Sequence, residues 1–204
     1  MSGFYLAIEG GEGAGKTTVV ALLAEALTRR GEEVVTVREP GSTDLGNEVR
    51  RLLLHWQDMT PWAEALLYAA QRAELVSGTI APALARGSFV LSDRSLYSSL
   101  AYQGVGRGLG IEPVRAVNEL AVGGLLPELV AVLMVDVATA LSRQRRSDRI
   151  GGEVDSFHRA VADGYRSLAA AEPERVRLID VVGPAPTVVE QILELVERTR
   201  EVKS

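Results

Sequence analysis

Cysteine is absent from the 204 residues of this chain, and with it go disulfide frameworks, thiolate metal sites and a cysteine nucleophile. Positive charge is in deficit: 22 Lys and Arg stand against 27 Asp and Glu, a net charge of −5. That balance gives no general attraction to nucleic acid, so a phosphate-binding surface has to be a local cluster of cations. Of the two histidines, His55 and His158, neither has a partner at metal-ligand spacing, and both read as structural or surface residues. No apolar run approaches the roughly 20 residues that a membrane-spanning helix needs. The start, MSGFYLAIEGGEG, lacks the basic stretch, apolar run and small-residue cleavage site of an export signal. These absences predict a cytoplasmic protein with no nucleic-acid or membrane partner. What is present is ordinary for a folded chain, 47% hydrophobic and 24% charged. The length suits a single domain over 1–204 better than two domains with separate cores.

Short β-branched runs alternate with longer segments of helical period, as in parallel strands joined by crossover helices. The strands are expected at Phe4 to Glu9, Glu33 to Arg38, Ser88 to Ser92, Val130 to Asp136 and Val176 to Val182. Between the first two, Val20, Leu23, Ala24 and Leu27 form one apolar stripe on a helix that stops near Gly31. A polar stretch of about 143–155, carrying Arg143, Arg145, Arg146 and Arg149 with Gly151 and Gly152, breaks the pattern and reads as a short Arg-rich lid. A last helix is expected over roughly Val188 to Arg200.

Directly after the first strand, Gly10-Gly11-Glu12-Gly13-Ala14-Gly15-Lys16-Thr17 satisfies GxxxxGK[ST] in the strand-to-helix setting the motif requires, with Thr18 next. Glycines let the backbone turn its N–H groups inward as an anion nest, and the helix N-terminus adds its positive end. Lys16 would reach the β- and γ-phosphates, and Thr17 would offer its hydroxyl to Mg²⁺. The expected architecture is therefore a three-layer α/β P-loop fold, a five-stranded parallel sheet with helices on both faces. No guanine-reading NKxD element follows, which favours ATP over GTP as the nucleotide.

The acceptor has to be read elsewhere, beyond the carboxyl ends of the other strands. The second strand ends in Arg38-Glu39-Pro40-Gly41 and the third in Ser92-Asp93-Arg94, which runs on to Ser98-Ser99-Leu100-Ala101-Tyr102-Gln103-Gly104. Between them lies Tyr68-Ala69-Ala70-Gln71-Arg72, where Tyr68 and Arg72 share a helix face. An aromatic plane there could stack on a pyrimidine while the guanidinium donates to a base carbonyl.

With the phosphate loop, these segments closely resemble bacterial thymidylate kinases, and the likeness continues through Gly123 to Leu129, Val135-Asp136-Val137 and Asp148-Arg149. The resemblance implies transfer of the γ-phosphoryl group of ATP to dTMP, with Mg²⁺ as the cofactor, in the synthesis of dTTP. It implies that Tyr68 stacks on thymine and that Arg72, Gln103 and Ser99 contact the base. By the same resemblance Tyr102 would pack the sugar and disfavour a 2′-hydroxyl. Glu39 would lie by the 3′-hydroxyl and metal region, Arg94 and Arg50 at the acceptor phosphate, Leu54 at the substrate, and Asp93 with Thr17 near the metal. Arg38 either contacts ligand or holds Glu39 in place.

The phosphate loop carries Glu12 and no Arg, so the chain resembles the subgroup whose lid supplies the catalytic cation. Arg149 fits the lid motif best and Arg145 is the alternative; with Lys16, Arg94 and Glu12 they form the expected catalytic set. Two departures stand out: Ser42 where the family usually has Gly, and Gly151-Gly152-Glu153 where Glu often follows the lid motif directly. The family also implies a homodimer, for which the apolar stretch Val114 to Leu126 is the expected interface. Two other readings share the motifs, a kinase for CMP, UMP or dGMP and an ATP-binding switch without catalysis.

Overall fold

The computed structural model describes residues 3–136 and 149–203. Five strands, β1 (Phe4–Gly10), β2 (Val34–Arg38), β3 (Phe89–Asp93), β4 (Leu129–Met134) and β5 (Val176–Asp180), form one parallel sheet in the order β2-β3-β1-β4-β5. The strands fall where expected, shifted by one or two residues. β4 and β5 end before Asp136 and Val182 because their shared ladder closes at the pair Met134 and Asp180.

Side-chain alternation along β1 builds both faces. Phe4, Leu6 and Ile8 point to one core, against Val19, Val20, Leu23 and Leu27 of α1 (Lys16–Arg29) and Val188, Ile192 and Val196 of α8 (Ala185–Lys203). Tyr5 and Ala7 point to the other, with Leu75 of α3 (Pro61–Leu75), Val114 of α6 (Ile111–Val122) and Val161 and Tyr165 of α7 (Asp155–Ala171). A sheet buried on both faces needs strands apolar throughout, and β1, β3 and nearly all of β4 are buried residue by residue.

The remaining α-helices are α2 (Asp44–His55), α4 (Ala81–Ala85) and α5 (Leu96–Ser99), and a π-helical turn, Val76–Ile80, joins α3 to α4. α5 widens directly into a π-helical segment, Leu100–Gly106. Such local widening re-aims side chains and recurs at functional sites. α1 ends at Arg29, two residues short of Gly31, and α8 begins three residues earlier than expected, with Pro186 in its first turn, where a missing N–H costs little.

Candidate active site

At the carboxyl ends of β1, β2 and β3 opens a cavity of about 300 Å³, lined at one end by the phosphate loop and at the other by Tyr68 and Gln103. The loop is set by backbone. Gly10 sits at φ 137°, and a Cβ there would meet the Leu133 carbonyl oxygen at 2.6 Å. Gly15, at φ 87°, caps α1 without a side-chain hydrogen bond, which leaves the first-turn N–H groups to a ligand. Gly13, Gly15, Lys16, Thr17 and Thr18 line the cavity. Gly11 and Ala14 instead border a smaller neighbouring cavity beside His158.

Lys16 folds back onto the loop, donating to the carbonyls of Gly10 (3.2 Å) and Gly11 (2.7 Å). Burial, with the charge of Arg94 added, pushes its ammonium down to about 8. Thr17 donates to Asp93 at 3.2 Å. Two oxygen donors at the foot of a phosphate loop suit Mg²⁺, which takes few protein ligands and completes its shell with phosphates and water. Among the described residues no cluster of three or more His, Cys, Asp or Glu offers an alternative cage.

Arg94 joins the two ends of the cavity. Its guanidinium pairs with Glu12 and donates to the Gly10 carbonyl (3.2 Å), Ser98 (3.1 Å) and the Tyr102 hydroxyl (3.4 Å). Its backbone lies in the left-handed region at φ 77°, a costly conformation for a side-chain-bearing residue that clusters at functional sites. Burial works to raise the Glu12 carboxyl, but Arg94, with Lys16 and His158, outweighs it and holds Glu12 below the usual range.

At the acceptor end Glu39 is buried, and burial raises its carboxyl against the opposing charge of Arg72. Oε2 accepts from Arg72 Nε (2.6 Å) and Gln71 (3.1 Å), while the buried Oε1 has no partner among the described residues and Glu39 itself lines the cavity. An unpaired buried carboxylate oxygen costs stability unless a ligand donor meets it. Gln71 and Arg72 thus brace Glu39, and Arg38 lines the cavity, as do Arg50, Leu54 and Tyr102. Arg50 reaches the Pro40 carbonyl at 3.1 Å. Burial and the charge of Glu64 push the Tyr68 hydroxyl up to about 12, so it stays neutral.

Three expected residues sit behind the wall. Arg72 is fully buried and spent on Glu39, Ser99 (3.3 Å), Asn118 and the Ser95 carbonyl (3.1 Å). Ser99 is buried beside it. Arg149 pairs with Glu64 at 2.6 Å and donates to the Leu53 carbonyl at 3.0 Å. Its neighbour Ile150 lines the cavity. Arg143, Arg145, Arg146 and Asp148 lie outside the described residues. Of the two departures, Ser42 stands at φ 65°, the left-handed region that Gly occupies without strain, and Glu153 binds Arg107 at 2.6 Å.

Sequence reasoning missed two buried carboxylates. Glu9 accepts from the backbone and hydroxyl of Ser95 (2.7 and 2.8 Å), from Ser98 and from Tyr165 (2.8 Å), tying β1 to α5 and α7. Its signal was a lone acid closing an apolar strand. Glu64 accepts from Gln103 (2.6 Å), Arg107 (3.2 Å) and Arg149, and nothing in its local sequence marked it.

Known proteins resemble this chain along most of its length. The profile of the family described as thymidylate kinase matches residues 8–192. The chain is 50% identical over 193 residues to a thymidylate kinase of Synechococcus sp. (strain JA-3-3Ab), covering 95% of both chains. It is 46% identical over 197 residues to one from Clavibacter sepedonicus, covering 94% of this chain and 93% of the other. The crystal structure of thymidylate kinase from Ehrlichia chaffeensis superposes with a TM-score of 0.82 at 28% identity, over 96% of this chain and all of that one.

Proposed function

The chain belongs to the thymidylate kinase family, and on that premise we propose that its cavity aligns the γ-phosphoryl group of ATP with the phosphate of dTMP, the transfer giving dTDP and ADP. The observation that carries this reading is the single cavity with a phosphate loop at one end, Tyr68 and Gln103 at the other, and Arg94 joining them.

Phosphoryl transfer asks a protein for alignment and charge neutralisation more than for covalent chemistry. The loop backbone and Lys16 hold the triphosphate; Lys16 exchanges its carbonyl partners for phosphate oxygens. Thr17 and Asp93 would hold Mg²⁺, which when bound would neutralise charge on the phosphates. Glu12 keeps Arg94 aimed between the loop and the acceptor phosphate, with Arg50 alongside. The unpaired Oε1 of Glu39 accepts from the sugar 3′-hydroxyl, Tyr68 stacks on the base, and Tyr102 packs the sugar edge. Arg72 and Ser99 support the base wall from behind.

The lid supplies the remaining cation, Arg149 or Arg145. Delivery of Arg149 to the phosphates requires it to leave Glu64, and closure also keeps water from competing as acceptor. A homodimer fits the exposed apolar side chains Trp62 and Leu66 on α3 and Leu120 on α6, 41%, 53% and 86% exposed. Val114 and Val122, in the stretch expected at the interface, are buried in the chain's own core. Among the described residues no helix is long and apolar enough to cross a membrane; the cytosol is the compartment we propose for an enzyme of nucleotide synthesis. ADP release with dTMP, dUMP, UMP, CMP and dGMP side by side tests the whole reading: turnover is expected with dTMP foremost, and faster turnover with CMP or dGMP would overturn it.

A further inference from the structure

Glu64 is 0% exposed and carries no role in the reaction described above. Its carboxylate gathers donors from two other parts of the chain. Oε1 accepts from the Gln103 amide nitrogen at 2.6 Å, Oε2 from Arg149 at 2.6 Å, and Arg107 reaches both oxygens, at 3.4 and 3.2 Å. A buried carboxylate left without partners would be strongly unfavourable, so two guanidinium groups account for its charge. They do not account for Gln103.

An amide has two unlike ends, a donor NH2 and an acceptor carbonyl, and a free Gln can present either to a ligand by a half-turn about its last bond. Here it cannot. An ion-paired carboxylate only accepts, so it takes the NH2 end; the flipped amide would set carbonyl oxygen against carboxylate oxygen at the same 2.6 Å. Gln103 lines the cavity, and with one N–H given to Glu64 and the NH2 end held on that side, the carbonyl is the end left to face a ligand.

We propose that Glu64 is a specificity-determining residue, which by fixing the amide of Gln103 makes the base pocket an acceptor and so selects pyrimidines carrying a ring N3–H. Thymine and uracil offer that hydrogen. Cytosine offers a lone pair at the same ring position, which would face the Gln103 carbonyl with no proton between them. A site built around one hydrogen-bond polarity rejects the opposite polarity because its buried group is left unpaired. The inference rests on the proposed placement of the base beside Tyr68 and Gln103, and adds a residue that never touches the substrate.

The test compares kcat/KM for dTMP, dUMP and dCMP in the wild type, Glu64→Gln, Glu64→Asp, Gln103→Met and the double variant Glu64→Gln/Gln103→Met, each checked by thermal melting. Glu64→Gln frees the amide to turn, and is expected to narrow the dTMP-to-dCMP ratio by about 10- to 100-fold while leaving dTMP against dUMP unchanged. Glu64→Asp keeps a charge for Arg107 and Arg149 but withdraws it from Gln103 by one methylene, and should narrow the same ratio less. It decides the matter if Glu64→Gln folds poorly. Gln103→Met should match Glu64→Gln, and the double variant should narrow the ratio no further, because both act through one group. A merely structural Glu64 would lower dTMP and dCMP turnover together at constant ratio, and that result overturns the inference. So does a double variant whose effect is the product of the two single ones. A wild type that phosphorylates dCMP as readily as dTMP would instead overturn the placement of the base.

Discussion

The two ends of the cavity are held by different means. The loop end is local: its cradle is the backbone of residues 10 to 18, fixed by glycine conformations and a helix start within one strand-turn-helix unit. The acceptor end is assembled from a distance. Glu39 depends on Arg72, 33 positions away, Gln103 on Glu64, 39 away, and Arg149 on Leu53, 96 away. A phosphate is the same in every nucleotide and can be met by invariant backbone, whereas a base must be told apart from similar bases, which takes side chains whose orientation is fixed by others.

If that contrast is right, the largest loss comes from removing the one side-chain cation on the backbone-built side. Lys16→Ala is expected to lower kcat by about 10⁴ with an unchanged melting temperature; near-normal turnover would mean that the backbone suffices. The proposed lid cation comes next. Arg149→Ala is expected to lower kcat by about 10³ with little change in KM for dTMP. If Arg145→Ala gives the large loss and Arg149→Ala instead raises KM for dTMP, Arg149 belongs to the acceptor-side clamp in which it sits with Glu64.

Legibility in the sequence follows the same division. The five strands and α1 were readable because each is encoded by its own apolar period, and the loop because glycine spacing and Lys16 sit in one stretch. Tyr68, Arg94 and Tyr102 were readable as candidates, and all three line the cavity. The orientation of Arg72 was not: helical spacing places it on the face of Tyr68, but the buried Glu39 and Asn118 draw its guanidinium behind the wall. Glu64, on an otherwise ordinary amphipathic helix, gains its meaning only when the π-helical segment brings Gln103 and Arg107 to it. Widening of that segment has no signature in residue types that a helix would not share.

A milder perturbation probes the loop end by pH. Burial first, then Arg94, lower the Lys16 ammonium to about 8, while Glu12, Asp93 and Glu9 oppose the shift. Above that pH the free enzyme carries neutral Lys16, whereas a bound triphosphate favours the charged form, so binding takes up a proton. ATP affinity should therefore fall about tenfold between pH 7 and pH 9, and titration calorimetry in buffers of different ionisation enthalpy should register proton uptake near pH 8.5. Affinity that is flat across this window would place Lys16 away from the phosphates, and Lys16→Arg, which stays charged throughout, should abolish the dependence.

The smallest effect is expected where the two ends touch. Tyr102 lies with its ring edge-on to Phe157 and Tyr165, 6.1 and 6.5 Å between centroids, with the Arg94 guanidinium 5.0 Å over its face. Its hydroxyl is held by Arg94 at 3.4 Å and reaches the Gly10 carbonyl only at 3.5 Å. Tyr102→Phe keeps the ring and loses only these long contacts, so kcat for dTMP should drop about threefold, in line with one weak hydrogen bond of under 1 kcal/mol. Tyr102→Ala removes the packing surface itself, and the preference for dUMP over UMP should narrow about tenfold. Should the Phe variant alone abolish that preference, the hydroxyl and not the ring reads the 2′ position, and sugar recognition then hangs on the same Arg94 that grips the phosphate loop.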